Sequence, residues 1–152
     1  MTETAGEQFV RAFTARDRVG LSAVLADSID FRGLTPGRSW EGTTSREVVD
    51  EILLGHWLDD TDHVTELISV ATGRVADREH VAYRFRLESA GISYIAEQQA
   101  YYMVSGGKID WLRMLCSGTR PDLEAARGSE WSSVGRACLL PDPESSSADP
   151  VG

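Results

Sequence analysis

Between Val81 and Glu88 every second residue is apolar and large: Val81, Tyr83, Phe85 and Leu87 alternate with Ala82, Arg84, Arg86 and Glu88. Successive side chains on a strand point to opposite faces, so this segment is a strand with one covered face and one wet face. Such a strand cannot stand alone. It needs neighbours in a sheet and a layer of structure over its apolar side. Three neighbours are in the sequence. Val64 to Val75 reads as a long strand that turns at Ala76-Asp77-Arg78-Glu79, and Ser93 to Val104 and Ile109 to Cys116 flank the hairpin Ser105-Gly106-Gly107-Lys108.

The covering layer comes earlier in the chain. Thr4 and Glu7 form a capping box, and Phe9, Val10 and Phe13 follow at helical spacing, which predicts a helix from residue 5 to 16. A second, short helix holds Val19, Leu21, Val24 and Leu25. Thr44 and Glu47 form another box, and behind it Val48, Val49, Ile52, Leu53, His56 and Trp57 make one stripe at steps of three and four. Between them Ile29 and Phe31 mark a short strand, followed by the turn Thr35-Pro36-Gly37-Arg38. Three helices followed by an antiparallel meander read as an α+β fold. Residues 1–120 form the domain, residues 121–140 a C-terminal extension with a short helix at Leu123, Ala125 and Ala126, and residues 141–152 a flexible tail rich in Pro and Ser.

Charge narrows the partners. Fifteen basic residues stand against 24 acidic ones in 152, a formal charge of −9. A surface so negative repels phosphate backbones and anionic lipid heads, so neither nucleic acid nor membrane is expected as a partner. Met1 to Glu7 lacks a basic n-region, and no apolar run is long enough to span a bilayer. Cys116 and Cys138 make no disulfide framework, and the expected location is the cytoplasm.

Several phrases now bear on identity: Asp27 to Arg32 (DSIDFR), Tyr83 to Leu87 (YRFRL), Glu97 to Tyr102 (EQQAYY) and Gly107-Lys108-Ile109. With the order of elements, residues 5 to 120 resemble the NTF2-like superfamily, in particular its SnoaL-like branch. The resemblance implies a cone: a curved antiparallel sheet packed on three N-terminal helices, the cystatin-like α+β barrel, with a pocket for small hydrophobic molecules. It also implies a homodimer in many members, and activities such as steroid isomerisation, polyketide cyclisation, dehydration and epoxide opening. The ketosteroid-isomerase residues do not carry over. Phe9 stands where that pattern has an oxyanion tyrosine, Arg32 and Gly33 where it has a carboxylate base, and Ala100 where it has a second acid. The carboxylate and histidine sets of the epoxide hydrolases and of scytalone dehydratase find no match either.

On that fold Tyr83, Phe85 and Leu87 face inward, and so do Leu112, Met114 and Cys116 of the last strand. Gln98 and Tyr102 share the inward face in the register that alternation with Ala96 and Ala100 favours; the opposite register would send Glu97, Gln99 and Tyr101 inside. The catalytic candidates are then Tyr83 and Tyr102 as hydrogen-bond donors, Gln98 as an orienting amide and His56 as a general base. Each has a plainer reading as a packed core or rim residue. The candidate walls for a ligand are Phe9, Phe13, Phe31, Trp40, Trp57, Phe85, Leu87, Leu112, Met114 and Cys116. The acidic run Asp59, Asp60, Asp62 reads as a solvated turn, and His63 and His80 lack metal-ligand spacing, so neither metal nor organic cofactor is expected. Two readings stand. One is a cofactor-independent cyclase, dehydratase or isomerase acting on a polyketide-like molecule. The other is a non-catalytic small-ligand binding or dimerisation module, with Trp111 and Leu115 on the outer sheet face as the homodimer contact.

Overall fold

The computed structural model describes residues 2–123. The extension and tail expected over 121–140 and 141–152, with Trp131 and Cys138, lie outside the described residues apart from their first three positions. The element order is α1 (Ala5–Thr14), α2 (Arg18–Val24), β1 (Leu25–Thr35), β2 (Arg38–Thr44), a third helix (Glu47–Trp57), β3 (Asp62–Val75), β4 (Arg78–Ser89), β5 (Ile92–Ser105) and β6 (Lys108–Pro121).

Helix α1 begins at the expected capping box: the Glu7 amide donates to Thr4 Oγ1 at 3.0 Å and the Thr4 amide to Glu7 Oε1 at 2.8 Å. It ends two residues early. Arg16 takes a positive φ of 56°, and the Asp17 amide folds back onto the Ala12 carbonyl at 2.8 Å. Asp17 then caps α2 by accepting from the Gly20 amide at 2.9 Å.

The third helix departs from expectation. It is wound as a π-helix along its whole length, and the Leu58 amide bonds the Leu53 carbonyl at 2.8 Å, five residues back. Gly55 makes this winding possible, because a Cβ there would lie 2.7 Å from the Asp50 carbonyl oxygen. The wider turn changes the face: Val48, Val49, Ile52, Leu53 and Leu54 are buried, whereas His56 is exposed and Trp57 half-buried. The stripe read at α-helical spacing placed His56 inward. The π winding carries it out to solvent.

The six strands form one curved, unclosed sheet in the order β2-β1-β6-β5-β4-β3. The meander β3–β6 is antiparallel as expected, and β1–β2 is a hairpin. The pairing of β1 with β6 is parallel, which corrects the expectation of an all-antiparallel sheet. The barrel is likewise open, with β2 and β3 as free edges. Two bulges shape β3, leaving Thr65 and Ile68 without register partners. They put Val64, Leu67 and Val70, three apart, opposite the inward Leu87, Phe85 and Tyr83.

Helix and sheet meet through rings. Phe9 stacks on Phe13 with centroids 6.1 Å apart, Phe13 stands edge-on to Phe85 at 6.2 Å, and Phe85 stacks on Tyr83 at 6.2 Å. All four are at most 3% exposed, so the column is a dry joint between α1 and β4. Truncating its centre removes contacts on both sides. Phe85→Ala is expected to lower the unfolding free energy by about 3–5 kcal/mol, measured as a lower urea midpoint at unchanged slope.

Candidate functional site

The inner face of the sheet carries the polar candidates in a single cross-strand row. Tyr83 on β4 pairs in register with Gln98 on β5, and Gln98 with Cys116 on β6. Their side chains are hydrogen-bonded in the same order: the Tyr83 hydroxyl donates to Gln98 Oε1 at 2.6 Å, and Gln98 Nε2 donates to Cys116 Sγ at 3.3 Å. The sulfur also receives the Gly118 amide at 3.4 Å. Of the two registers open in the sequence for β5, the structure has Gln98 and Tyr102 inward, and Glu97, Gln99 and Tyr101 outward.

Burial fixes the chemistry of this row. Desolvation pushes the Tyr83 phenol well above its ordinary value, and the neighbouring Cys116 sulfur adds to the rise. Tyr83 is therefore a proton-bearing donor across the ordinary pH range. Each hydrogen bond of the row runs to another member or to the Gly118 amide.

The other two catalytic candidates lie elsewhere. The Tyr102 hydroxyl accepts the Gly6 amide at 3.0 Å, one of the first-turn amides that α1 leaves unpaired, so this phenol caps a helix from a strand. The sequence signal for that contact is Gly6 inside the Thr4–Glu7 capping box. His56 sits at the rim, its Nδ1 2.8 Å from the Glu51 carbonyl and its ring 5.1 Å from Trp40. Trp40 is held by its own bond, with Nε1 donating to Thr35 Oγ1 at 2.8 Å, and the Arg38 guanidinium lies 3.5 Å over its ring.

Trp57 differs from Trp40. Its indole lies over Gly33, where a Cβ would come within 2.8 Å of Cζ2, and stands edge-on to Phe31 at 6.4 Å. Its Nε1 is buried and has no hydrogen-bond partner among the described residues. Gly33 pairs with Met114, two residues before Cys116, so the indole lies one side-chain row from the Tyr83–Gln98–Cys116 row. The wall candidates Phe9, Phe13, Phe31, Phe85, Leu87, Leu112, Met114 and Cys116 all face inward and are buried. They pack against one another between helices and sheet.

Two hollows lie on the opposite, outer face. One, of about 340 Å³, runs over β3–β6 and is lined by Ala71, Ala82, Arg84 and Leu115, with Tyr83 and Gln98 also bordering it. The other, of about 380 Å³, runs over β2, β1 and β6 between Arg32, Leu34, Glu41 and Arg113. Cross-strand ion pairs cover this face. Arg84 and Arg120 both donate to Glu97, whose carboxyl is held below its usual range by Arg120 first and Arg84 second. His80 Nε2 lies 2.9 Å from Gln99 Oε1.

The folded protein keeps a Tyr83 proton that the unfolded chain releases near pH 10.0. Stability is therefore expected to be whole below that pH and to fall as pH rises past it. Spectrophotometric titration at the phenolate band should show a late-ionising tyrosine, and Tyr83→Phe should remove that late phase.

No family model matches the chain, and no curated relative matches it. Solved structures do. A candidate polyketide cyclase from Pseudomonas putida is similar at a TM-score of 0.58 and 15% identity, over 82% of this chain and 94% of that one. An epoxide hydrolase of the LEH-like type from M. tuberculosis gives 0.55 and 14%, over 89% and 92%. An NTF2-like protein from Burkholderia thailandensis gives 0.56 and 16%, over 90% and 95%. Three helices on the inner face of a six-stranded, open, curved sheet, matched over 82–90% of this chain by these proteins, give the chain the NTF2-like α+β fold.

Proposed function

We propose that this protein binds a small, largely apolar molecule on the inner face of its sheet and holds the molecule's polar end by neutral hydrogen bonds. The observation that supports this reading is the buried Trp57 Nε1 donor without an acceptor among the described residues. A buried donor left unpaired costs about 1–3 kcal/mol, and a ligand carbonyl or hydroxyl oxygen would remove that cost. The Tyr83–Gln98–Cys116 row one step away offers further neutral handles. Trp40 and His56 form the rim by which a guest enters, and Phe31, Leu112 and Met114 are the walls it displaces or packs against. Among the described residues no base is hydrogen-bonded to the row, which favours holding a ligand over transforming it.

The names of the structural neighbours, a candidate polyketide cyclase and an epoxide hydrolase, favour a second reading. In it the same inner face performs cofactor-independent acid–base chemistry on a polyketide-like molecule, with Tyr83 as donor. Native mass spectrometry of the purified protein, followed by identification of any small molecule released on denaturation, separates the two. An unchanged ligand is expected, and Trp57→Phe is expected to weaken its retention about tenfold. A released product whose formation needs Tyr83 or His56 would replace the binding reading by the enzymatic one. Full retention in Trp57→Phe would remove the role given to the indole.

We further propose that the working form is a homodimer, in a reducing compartment that suits the free thiol of Cys116. Leu115, 43% exposed, stands in one outer-face row with Gln99, Ala82 and Ala71. A two-fold axis parallel to β5 would set the Leu115 side chain of each copy over the shallow Ala82 of the other. Sedimentation at micromolar concentration should give a dimer, and Leu115→Asp a monomer of unchanged circular dichroism. A wild-type monomer would end this proposal.

A further inference from the structure

The parallel pairing of β1 with β6 has an electrostatic result. It sets Arg32 beside Arg113 on the outer face, in direct register. Like charges on neighbouring strands repel at this separation unless something negative lies between them. Arg113 has its compensation. Its Nη1 donates to the Asp30 carbonyl at 2.9 Å and to Asp30 Oδ1 at 3.2 Å, and its guanidinium lies 4.3 Å over the Trp111 ring. Held by those contacts, it presents its remaining N–H groups from a fixed position.

Arg32 has no such contact. Among the described residues it makes no hydrogen bond, ion pair or ring contact, although Glu41 is its register partner on β2. In a chain of net charge −9 an arginine without an acid partner is out of character. Both guanidinium groups line the 380 Å³ hollow, together with Glu41 and Leu34, whose side chain is 53% exposed. Gly33, Ser39, Trp40 and Met114 complete its lining.

We infer that this hollow is a binding site for a small organic monocarboxylate, gripped between Arg32 and Arg113 with its apolar body against Leu34. The planar fork of a guanidinium matches the two oxygens of a carboxylate. Glu41 borders the hollow and Asp30 pairs with Arg113, so a monoanion is opposed less there than a phosphate dianion. The exposed leucine adds an apolar contact that an inorganic anion cannot use. Tyr83, Gln98 and Trp57 are not among the residues that line it, although Trp40 and Met114 border it as well.

Benzoate is the probe, with benzamide as its uncharged isostere and inorganic phosphate as the anion without an apolar body. Binding is followed by the Leu34 methyl and Arg32 Nε–H signals in NMR titrations of the full chain. Benzoate is expected to bind saturably and at least about tenfold more tightly than either control. Arg32→Gln should weaken it by about the same factor, and Glu41→Gln should tighten it by removing the competing carboxylate. Trp57→Phe should leave it unchanged, which separates this site from the inner face. Arg32 is exposed, so its variant is expected to melt like the parent. Equal binding of benzoate and benzamide, equal binding of phosphate, or an Arg32→Gln variant that binds benzoate as the parent does would each overturn the assignment.

Discussion

The ring column Phe9, Phe13, Phe85 and Tyr83 is the joint on which the molecule turns. One end belongs to α1, the other to β4, and the contacts between them are aromatic and dry. Two consequences follow from its position. With Phe13 seated on Phe85, the first turn of α1 comes to rest against β5, where the Tyr102 hydroxyl meets the Gly6 amide. With Phe85 facing inward, Tyr83 must do so as well, and its hydroxyl arrives opposite Gln98. A helix cap and a buried polar row thus depend on one packing contact.

The two faces of the sheet follow different electrostatic rules. Inside, Tyr83, Gln98 and Cys116 are tied to one another and Tyr102 to backbone, while Trp57 Nε1 has no partner among the described residues. Outside, arginines and acids alternate across strands, so that Glu97 serves Arg84 and Arg120, and Arg86 serves Glu66 and Asp122. Exposed ion pairs of this sort contribute about 0–1 kcal/mol each, so they set register and solubility more than stability. The Arg86–Asp122 contact is the exception by burial. Asp122 is 4% exposed, also accepts from Ser93 Oγ at 3.1 Å, and fixes the end of β6 to the rim of the sheet.

Much of this arrangement was readable in the residues. Period-two alternation in β4 and β6 gave faces that the structure repeats, and the capping boxes marked where helices start. In β5, Ala96 and Ala100 favoured the register that is found. Other features had no local signature. Val48, Val49, Ile52 and Leu53 fit an α-helix and a π-helix equally well, so the winding that exposes His56 could not be read from the stripe; Gly55 was its one trace. The parallel union of β1 with β6 joins segments about 80 residues apart in register, and nothing in either strand names its partner. In β3 the inward residues fall three apart because of two bulges, which hides the period that the eye seeks. Trp57 was visible as an aromatic wall, but its unpartnered nitrogen depends on what surrounds it in space.

Those bulges have a bearing on how the chain behaves in crowded solution. The β3 rim offers 14 residues of backbone with partners on one side alone, and from Leu67 to Gly73 it carries neither charge nor proline. A straight rim of that composition would be a template for stacking identical copies into fibrils. The supernumerary Thr65 and Ile68 bend it, so that two rims laid side by side fall out of step after a few residues. Shortening the strand by either one would flatten the rim, and insoluble aggregates would follow although no core contact had been touched.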